Sequence, residues 1–501
     1  MARLTDEQVL AAASEAQLVN IVSAPGSGKT TVAAERFGYQ RYWRTDSRGV
    51  LGLSFTVAAA GELRSRIASR WGSTSALFPH CISTFDEFHV QVFQWLLDQS
   101  LVHWPGRDGP IEVHDNYSGF KGYRWLRAGS WCRYAALNNQ GQVFSKADKL
   151  TKARLGISTA ADHKAILGAG ECSHEDLRKL LWEALGRDDV WSALSRWMSA
   201  TYSNLIIDEV YDAAELDLLI AGMAGQAGLN VTVIGDPWQA VYGWRGATPD
   251  KVSVLLDQGF EEYSLSKSFR FRGGQMPALA ATLRNGDGVV IPSIDSKDVD
   301  VAIARQWQHL LPAGKNILPL AFRSIGNQID AMLNLLLDTV TRAHLGRPSF
   351  GREGAIIQLG LDRQVLEDKQ EATFRPILEM LIQGAQAEDV MEQLRVAISQ
   401  LGARKPNRLS PEKQSRRVEE LRLLGERLGS DRLIPGMTVH QAKGREWNSV
   451  GVVLTPNDAA MLANGLKPLT DDHCVLYVAL TRAKEHCGRM IAEEQGPLPL
   501  E

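Results

Sequence analysis

The pattern of apolar and polar positions in residues 1–90 predicts strands that alternate with helices. Residues 6–17 have a helical pattern, and an apolar run at residues 18–22 then leads into a glycine-rich turn. A second apolar run at residues 50–55 comes before a helical stretch that ends near Arg70. Such alternation favours a parallel sheet with helices packed on its faces.

Residues 91–198 interrupt this alternation, and we interpret them as an insertion. They are rich in tryptophan, arginine and glycine, and a helical pattern is present only towards their end. The strand pattern returns at residues 204–209 and again at residues 231–236. The two flanking stretches are therefore expected to form one α/β domain that the insertion divides.

A second α/β domain is expected to begin near Tyr263. Residues 331–432 have a polar, helical pattern, and a strand-like apolar run follows at residues 450–454. A basic cluster runs from Arg404 to Arg432 within the helical stretch. Such a cluster fits either a solvated helix face or a surface for DNA or a partner.

The charge balance excludes a passive nucleic-acid coat. The 501 residues include 55 Lys and Arg against 58 Asp and Glu, a formal net charge of −3. Coat proteins gain their affinity from many cationic contacts with phosphates, whereas a narrow local groove remains compatible with this balance. We find neither an apolar run of the roughly 18 residues that a membrane helix needs nor a signal-peptide core. A cytoplasmic protein without a membrane partner is therefore expected.

Residues 23–30, which read SAPGSGKT, have the composition of a phosphate-binding loop between a strand and a helix. Small residues allow backbone N–H groups to surround phosphates. Lys29 can reach the β and γ phosphates of ATP, and the Thr30 hydroxyl can bind Mg²⁺. The strict pattern begins with glycine, and Ser23 keeps only its small size. The candidate nucleotide-binding residues of this segment are Ala24, Pro25, Gly26, Ser27, Gly28, Lys29, Thr30 and Thr31.

An apolar run at residues 205–207 ends in two carboxylates, Asp208 and Glu209. In a P-loop enzyme, Asp208 would hold Mg²⁺ and Glu209 would position or polarise the attacking water. Such a pair is common by chance, and its place after a P-loop adds weight to it. These two features indicate only a P-loop NTPase, a class that includes kinases, GTPases, transporters and motors.

Three longer segments resemble the UvrD/Rep group of superfamily 1 helicases. The segments are similar to motifs III, V and VI of that group, and they are residues 235–247 (GDPWQAVYGWRGA), 439–447 (VHQAKGREW) and 476–484 (LYVALTRAK). Shorter segments resemble the Q motif and motifs Ia, Ib and IV, and they are residues 4–8, 55–66, 83–88 and 268–270. Together they extend along the whole chain in the order that the family has.

The resemblance implies a role for each catalytic candidate. Lys29 would act on the phosphates and Glu209 on the water, while Gln239 would sense the γ-phosphate. Arg270 and Arg482 would be arginine fingers that stabilise negative charge in the transition state.

The resemblance also implies contacts with the rest of the nucleotide. Gln8 would read the edge of adenine, Phe269 would stack on adenine, and Glu446 would contact the ribose. The family often has a basic residue at position 31, where this chain has Thr31, so the packing against adenine is expected to be weaker.

DNA contacts are implied as well. Aromatic side chains would stack on successive bases at about 1–3 kcal/mol per base, which suits a motor that must pass over any sequence. Arg245 would connect the DNA side with the ATP side, and packing inside a cleft is the alternative for Tyr242 and Trp244. The candidate DNA-binding residues are Phe55, Phe85, Tyr242, Trp244, Arg245 and His440.

Several positions depart from the family's pattern. Tyr211 replaces a usual Gln after the carboxylate pair, Val57 and Ala58 replace a frequent Asn-Lys in motif Ia, and Asp86 replaces a frequent His in motif Ib. We expect ATP hydrolysis to be intact and the grip on DNA to be weaker than in relatives that keep these groups.

The implied fold class is α/β, with two RecA-like P-loop domains whose parallel sheets carry helices on both faces. Each domain is expected to contain a mainly helical insertion. The first domain would comprise residues 1–90 and 199–262, with residues 91–198 at the position of the family's domain 1B. The second would comprise residues 263–330 and 433–501, with residues 331–432 as a short insertion at the position of domain 2B.

The function implied is that of an ATP- and Mg²⁺-dependent DNA helicase that moves 3′ to 5′ on single-stranded DNA or a tailed duplex. The alternative is a regulatory ATPase subunit of an anti-phage defence complex. The short second insertion is similar to that of the UvrD-like subunit of Gabija-type systems, and the partner would then be an OLD-family nuclease. An RNA helicase is disfavoured because motifs III, V and VI match the DNA-translocating group.

Overall fold

The computed structural model describes residues 3–43, 46–106, 109–114, 123–126, 130–149, 154–157 and 159–490. The described side chains do not include those of residues 123–126, 154–157 and 244. The chain divides into two compact units, Met1–Phe269 and Arg270–Glu501. Within the described ranges, every helix is too short or too polar to span a bilayer.

The first unit alternates strands and helices around a long interruption. Its helices are α1 (Asp6–Ala13), α2 (Lys29–Tyr42), α3 (Val57–Trp71), α4 (Phe85–Asp98), α5 (Ala160–Gly168), α6 (His174–Leu185), α7 (Asp188–Thr201), α8 (Glu215–Gln226) and α9 (Val252–Leu256). Its strands are β1 (Leu18–Ser23), β2 (Gly49–Ser54), β3 (Cys81–Thr84), β4 (Glu112–His114), β5 (Tyr123–Leu126), β6 (Trp131–Leu137), β7 (Val143–Lys149), β8 (Arg154–Ile157), β9 (Glu171–Ser173), β10 (Tyr202–Asp208), β11 (Asn230–Gly235) and β12 (Glu261–Leu265).

The main sheet of this unit is parallel and has the strand order β12-β1-β11-β10-β2-β3. In its centre, Val22 of β1 lies opposite Gly235 of β11, and Asp208 of β10 lies opposite Ile234. Strand β10 is buried along its whole length, which explains its continuous apolar run. Because all these strands are parallel, their carboxyl ends share one edge, where ligands bind in sheets of this kind.

The first insertion is less helical than its sequence predicts. Strands β5, β8, β6 and β7 form an antiparallel sheet in that order. Strands β6 and β7 make a hairpin in which Leu137 lies opposite Val143, and Gly141 in its turn has a φ of 77°. Short, half-exposed strands of this kind leave only a weak two-residue periodicity in a sequence. Residues 91–198 are therefore a mixed insertion, in which the described helices are accompanied by a four-stranded antiparallel sheet that the sequence pattern does not predict.

Strand β12 belongs to the first sheet, although the sequence suggests that a second domain begins at Tyr263. Tyr263 pairs with Ile21 of β1 in parallel register, and the compact units divide only after Phe269. The strand is at the edge of the sheet and reads EEYSL, with most of its side chains exposed. An exposed edge strand lacks the apolar run by which buried parallel strands are recognised.

The second unit has its own parallel sheet and a separate group of helices. Its helices are α10 (Gln275–Asn285), α11 (Gln328–Leu345), α12 (Arg352–Leu359), α13 (Arg363–Ile382), α14 (Ala387–Gln400), α15 (Pro411–Leu428), α16 (Val439–Ala442), α17 (Pro456–Ala463) and α18 (Asp471–Leu480). Its strands are β13 (Val301–Ala304), β14 (Ile317–Pro319), β15 (Ile434–Thr438), β16 (Trp447–Val453) and β17 (Ala483–Met490). The sheet has the order β14-β15-β13-β16-β17.

Helices α11 to α15 pack around one apolar core, which also includes Leu318 of β14, and a buried ion network joins the first of these helices to the last. Arg417 of α15 lies with its Nη2 3.0 Å from Oδ1 of Asp330 in α11. Arg323 pairs with Glu420 and lies 3.7 Å from Asp330. Burial raises the pKa of Glu420, and the two arginines oppose that shift. The centre of the basic cluster is therefore engaged inside the unit, since Arg422 is also paired with carboxylates of its own helix.

We expect Arg417→Ala to lower the free energy of unfolding of the second unit by about 3–5 kcal/mol, because Asp330 would keep a buried charge with one partner fewer. Arg422→Ala on the same helix is the matched control. Its side chain is 45% exposed, and exposed ion pairs contribute about 0–1 kcal/mol. Urea unfolding followed by circular dichroism measures both variants, and equal midpoints would contradict a stabilising role for the buried network.

Candidate nucleotide site

The loop after β1 is attached to both neighbouring strands. The Ser23 hydroxyl donates to the carbonyl of Gly235 over 3.1 Å, and the Ala24 N–H donates to the carbonyl of Leu265 over 2.9 Å. Ser23 is buried, and its hydroxyl explains why serine is accepted where the strict pattern has glycine. The start of the loop is thus fixed by the strands on either side of it.

The glycines of the loop shape it as a cradle for phosphate. Gly26 and Gly28 have φ values of 72° and 86°, which side chains disfavour. The Ser27 N–H donates to the carbonyl of Ala24 over 3.2 Å and closes the turn. Helix α2 then begins at Lys29 without a side-chain cap and without an acidic residue in its first turn. Its free N–H groups and positive dipole end are suited to an anion.

Two carboxylates meet the loop from the end of β10. The Thr30 hydroxyl donates to Oδ2 of Asp208 over 3.3 Å, and Lys29 Nζ lies 3.4 Å from Oε1 of Glu209. Glu209 has a φ of 64°, a left-handed conformation that is uncommon for a residue with a side chain. Such strain is typical of functional sites, and here it turns the chain sharply after the strand.

Asp208 is held in an environment that disfavours its charge. Burial and the neighbouring carboxylate of Glu209 raise the pKa of Asp208 to about 7, while Lys29 and Thr30 act in the opposite direction. Its side chain is almost fully buried, and its Oδ1 has no hydrogen-bond partner among the described residues. The carboxyl group would therefore gain from a nearby cation.

Gln239 lies at the same edge of the sheet, in a short 3₁₀ turn, Pro237–Gln239, that follows β11. Its Nε2 donates to Oδ2 of Asp236 over 2.6 Å, and Oδ1 of Asp236 accepts from the N–H of Trp238 over 3.2 Å. Gln239 is buried, so its amide has a defined place after β11, the strand that pairs with β1.

Tyr211 fills space against the end of β11. A Cβ at Gly235 would lie 2.7 Å from Cδ2 of Tyr211, so the ring occupies the face that the glycine leaves open. Burial, with Asp236 and Glu262 nearby, raises the pKa of Tyr211 to about 12. The phenol therefore stays protonated and acts as a packing residue where the family has an amide.

The two residues predicted to contact adenine lie at the rim of the loop. Gln8 donates through Nε2 to the carbonyl of Ser27 over 2.9 Å, and its Oε1 accepts from the N–H of Thr5 over 3.0 Å. The Phe269 N–H donates to the carbonyl of Gly26 over 2.8 Å. The Phe269 side chain is 51% exposed, so its ring is accessible to a ligand.

Position 31 is neutral, but an arginine reaches it from a neighbouring helix. Nη1 of Arg66 in α3 donates to the Thr31 hydroxyl over 2.9 Å, and Arg66 is paired with Glu62 one turn earlier. The structure thus places the Arg66 guanidinium beside the first turn of α2, and the sequence alone does not reveal this contact.

The candidate DNA-facing residues of this unit differ in exposure. The rings of Phe55 and Phe85 stack with centroids 4.8 Å apart and planes at 26°, and Phe85 is buried while Phe55 is half-buried. Tyr242 is half-buried, and the guanidinium of Arg245 lies 5.8 Å from its ring centroid. The side chain of Trp244 lies outside the described residues.

Two departures in motifs Ia and Ib have a structural context. Asp86 pairs with Arg178 of α6, so its carboxylate is engaged with the insertion. Val57 and Ala58 begin α3 and are exposed, and Val57 is 77% exposed. This turn therefore presents neutral, apolar side chains to solvent.

In the second unit, Arg270 and Glu446 are brought together. Arg270 Nε lies 3.0 Å from Oε2 of Glu446, and its Nη1 donates to the carbonyl of Thr481 over 2.9 Å. Lys484 Nζ lies 2.9 Å from the other oxygen of Glu446. Burial alone would raise the pKa of Glu446, but hydrogen bonds from Lys484 and Arg270 lower it. Glu446 is therefore a charged partner that orients both cations.

Arg482 and His440 belong to the same unit. Arg482 is buried, and its Nε donates to the carbonyl of Val478 over 3.0 Å. Its own carbonyl accepts from the N–H of Trp447 over 3.1 Å, which joins the end of α18 to the start of β16. His440 is half-buried in the short helix α16.

Sequence reasoning missed three cations, of which two contact candidate residues and one contacts Asp86, a position that departs from the family's pattern. Lys484 could have been found, because it lies within the segment that is similar to motif VI. Arg66 is also inside a matched segment, but its contact with Thr31 depends on how α2 and α3 pack. Arg178 lies in the insertion, where the sequence carries no signal for its pairing with Asp86.

Comparison with family models also identifies UvrD-type helicase domains in both units. The UvrD/REP helicase N-terminal domain matches residues 4–107 and 133–258, and the UvrD-like helicase C-terminal domain matches residues 404–487.

Similar proteins fall within the same group. The chain is 22% identical over 331 residues to the probable DNA helicase II homolog of Mycoplasma capricolum and 30% identical over 318 residues to DNA helicase II of Escherichia coli. It is 30% identical over 256 residues to the Gabija protein GajB of Bacillus cereus. These alignments cover 59%, 57% and 50% of this chain, and 45%, 41% and 43% of the three relatives. The chain thus spans less than half the length of these relatives. On the match to both domain models, it belongs to the UvrD/Rep helicase family.

Proposed function

We propose that this chain hydrolyses ATP in order to move along single-stranded DNA as a helicase or translocase. The observation that carries the proposal is the contact of Lys29 with Glu209 and of Thr30 with Asp208 at the carboxyl edge of the first sheet. Phosphate-binding groups and carboxylates for water and metal meet there. Membership of the UvrD/Rep helicase family supports the same function.

The contact between Lys29 and Glu209 indicates how nucleotide would prepare the site. A γ-phosphate on the loop would compete with Glu209 for the ammonium group of Lys29, which lies 3.4 Å from Oε1 of Glu209. Once Lys29 turns to the phosphate, the Glu209 carboxylate is released to orient the attacking water. The strained backbone of Glu209 keeps this carboxylate at the strand end.

Arg270 and Arg482 are proposed to stabilise the charge that develops on the transferred phosphoryl group. Both are already oriented by contacts within the second unit, Arg270 by Glu446 and the Thr481 carbonyl, and Arg482 by the Val478 carbonyl. Preorganised cations of this kind are effective because they need little rearrangement during the reaction.

The residues around Asp208 fit Mg²⁺. Mg²⁺ is usually bound by one or two protein oxygens together with phosphates and water, and Thr30 and Asp208 would supply those oxygens. The buried Oδ1 of Asp208 without a hydrogen-bond partner is consistent with this use. The described residues contain no group of three or more His, Cys, Asp and Glu that could hold a metal. When bound, Mg²⁺ would neutralise charge on the phosphates.

The proposed DNA contacts begin at the same edge of the sheet. Phe55 follows β2 and Tyr242 follows the turn after β11, so both come after the carboxyl ends of strands in the sheet that carries the nucleotide site. Phe55 would offer the accessible ring and Phe85 would support it from behind, since Phe85 is buried. Arg245, which is exposed, would contact the DNA backbone. Movement from 3′ to 5′ and a cytoplasmic place of action stay predictions from the resemblance.

A second candidate function is a regulatory ATPase subunit of an anti-phage defence complex. The similarity to the Gabija protein GajB, at 30% identity over half of this chain, favours it. The partner would be an OLD-family nuclease, and DNA or nucleotide would control the state of the complex. Co-purification with such a nuclease, together with ATP hydrolysis that ignores DNA, would distinguish this function from that of a simple motor.

We expect single-stranded DNA to stimulate ATP hydrolysis and both Lys29→Ala and Arg482→Ala to lower the rate at least about 100-fold, since each removes charge stabilisation of the transition state. Lys179→Ala is the matched control, because Lys179 is a surface lysine paired with Glu175 on its own helix. Steady-state ATPase assays with and without DNA measure the effect.

Hydrolysis that is indifferent to DNA would contradict the motor function and favour the partner-controlled ATPase. If DNA stimulates hydrolysis, unwinding of duplexes with a 3′ or a 5′ tail tests the direction of movement.

We expect Asp208→Asn to raise the melting temperature at pH 8 without nucleotide and metal. Burial raises the pKa of Asp208 from 3.8 to about 7, so the folded protein favours the protonated form between these values. Stability is therefore lost as the pH rises from about 4 to about 7, and the full penalty is present above pH 7. Asn removes that penalty.

Thermal unfolding in EDTA should show a gain of about 5 °C for Asp208→Asn at pH 8 and little difference near pH 4. Asp257→Asn, which changes an exposed carboxylate, is the control. A variant that is less stable than the wild type at pH 8 would show that the charge of Asp208 is compensated in the folded protein.

A further inference from the structure

His89 and Asp217 form a buried polar pair, and neither belongs to the residues assigned to the nucleotide site. Nε2 of His89 in α4 lies 3.0 Å from Oδ1 of Asp217 in α8, and the two side chains are only 1% and 6% exposed. Neither residue is needed for the chemistry proposed above. Burying such a pair costs desolvation that apolar side chains of similar size would avoid, so a role beyond packing is worth testing.

His89 is connected to the aromatic residues at the DNA-facing side. It follows Phe85 by one turn of α4, and the two ring centroids are 6.1 Å apart. Phe85 in turn stacks on Phe55 at 4.8 Å. Phe85 is buried and Phe55 is half-buried, so a base that stacks on Phe55 would act on a pair of rings whose buried member also lies beside His89.

Asp217 is connected to the turn that carries Glu209. Its Oδ2 accepts from the N–H of Ala214 over 2.8 Å and caps the start of α8. Between Glu209 and this cap, the N–H of Asp212 donates to the carbonyl of Glu209 over 2.9 Å. Asp217 therefore fixes the end of a single short turn whose beginning is the candidate water-positioning residue.

The same turn is joined to the segment that follows Tyr242 and Arg245. The N–H of Thr248 donates to the carbonyl of Ala213 over 2.8 Å, and Ala214 forms a β-bridge with Ala247. The cap made by Asp217 thus lies where the turn after β10 contacts residues 247 and 248, which end and follow motif III.

The contact between His89 and Asp217 is close to a hydrogen bond without having its geometry. Oδ1 of Asp217 and both ring nitrogens of His89 have no hydrogen-bond partner among the described residues, despite the 3.0 Å separation. A small rotation of either side chain would complete or lengthen this contact. In a buried, low-dielectric setting such a change alters the interaction energy strongly.

We propose that the His89–Asp217 pair couples the Phe55–Phe85 stack to the Glu209 turn, so that DNA bound at the aromatic residues changes the rate of ATP hydrolysis. His89 and Asp217 are positioning residues that act through Phe85 and through the turn. This inference rests on the proposed function, because it requires hydrolysis that responds to DNA.

The test measures basal ATP hydrolysis, its stimulation by single-stranded oligothymidine and the affinity for a fluorescent oligothymidine. The variants are His89→Leu, Asp217→Asn, their double mutant and the conservative His89→Gln. Asparagine at 217 can keep the cap on Ala214, and glutamine at 89 can keep a polar N–H, so both should fold. His163→Gln is the matched control, since His163 is also buried but bonds Ser145 in the insertion.

We expect each of His89→Leu and Asp217→Asn to reduce the DNA stimulation about ten-fold, the ratio that a coupling of ordinary size produces. Basal hydrolysis and DNA affinity should change less than about two-fold, which is the range expected when a substitution is energetically independent of the quantity measured. The double mutant should lose no more than either single mutant, and His89→Gln should retain part of the stimulation. His163→Gln should leave the stimulation unchanged.

Unchanged stimulation in the single mutants would overturn the coupling. Losses that add in the double mutant, with basal hydrolysis and melting temperature falling together, would also overturn it and leave the pair as core packing. If the wild type hydrolyses ATP without any response to DNA, the proposed motor function fails first. If the wild type responds and the variants respond equally, only the coupling fails.

Discussion

Parallel strand pairing determines where chemistry can occur in the first unit. The six described strands of its main sheet run in one direction, so the segments that follow these strands all emerge at one edge of the sheet. The phosphate loop follows β1, the carboxylates end β10, Gln239 follows β11, and Phe55 and Phe85 follow β2 and β3. Residues far apart in sequence are therefore neighbours because their strands are hydrogen-bonded in register.

Within that edge, polar and charged side chains are paired with one another. Lys29 faces Glu209, and Thr30 faces Asp208, whose carboxyl group is kept partly protonated by burial. The second unit repeats this principle, because Glu446 is shared between Arg270 and Lys484. Such pairs hold reactive groups in place, and a nucleotide would act by exchanging partners rather than by ordering disordered side chains.

The sequence predicts the parts of this arrangement that depend on buried, regular structure. The apolar runs at β1 and β10, the glycines at 26 and 28 and the placement of Asp208 all follow from local pattern and backbone chemistry. Strand β12 was misplaced because its exposed edge reads as polar, and the strands of the first insertion were missed because short alternating runs resemble loops. The contacts of Arg66, Arg178 and Lys484 depend on tertiary packing, which no local pattern encodes.

The helical insertion of the second unit leaves and re-enters the sheet at adjacent strands. Strands β14 and β15 are paired, and the N–H of Leu320 donates to the carbonyl of Gly436 over 2.8 Å. More than a hundred residues thus form a loop whose two ends are hydrogen-bonded to each other. The helices of this loop share an apolar core. The entropy of closing such a loop grows only slowly with its length. Evolution can therefore lengthen, shorten or exchange this module while the sheet beneath it keeps its register, which makes it the natural place for relatives to diverge in size.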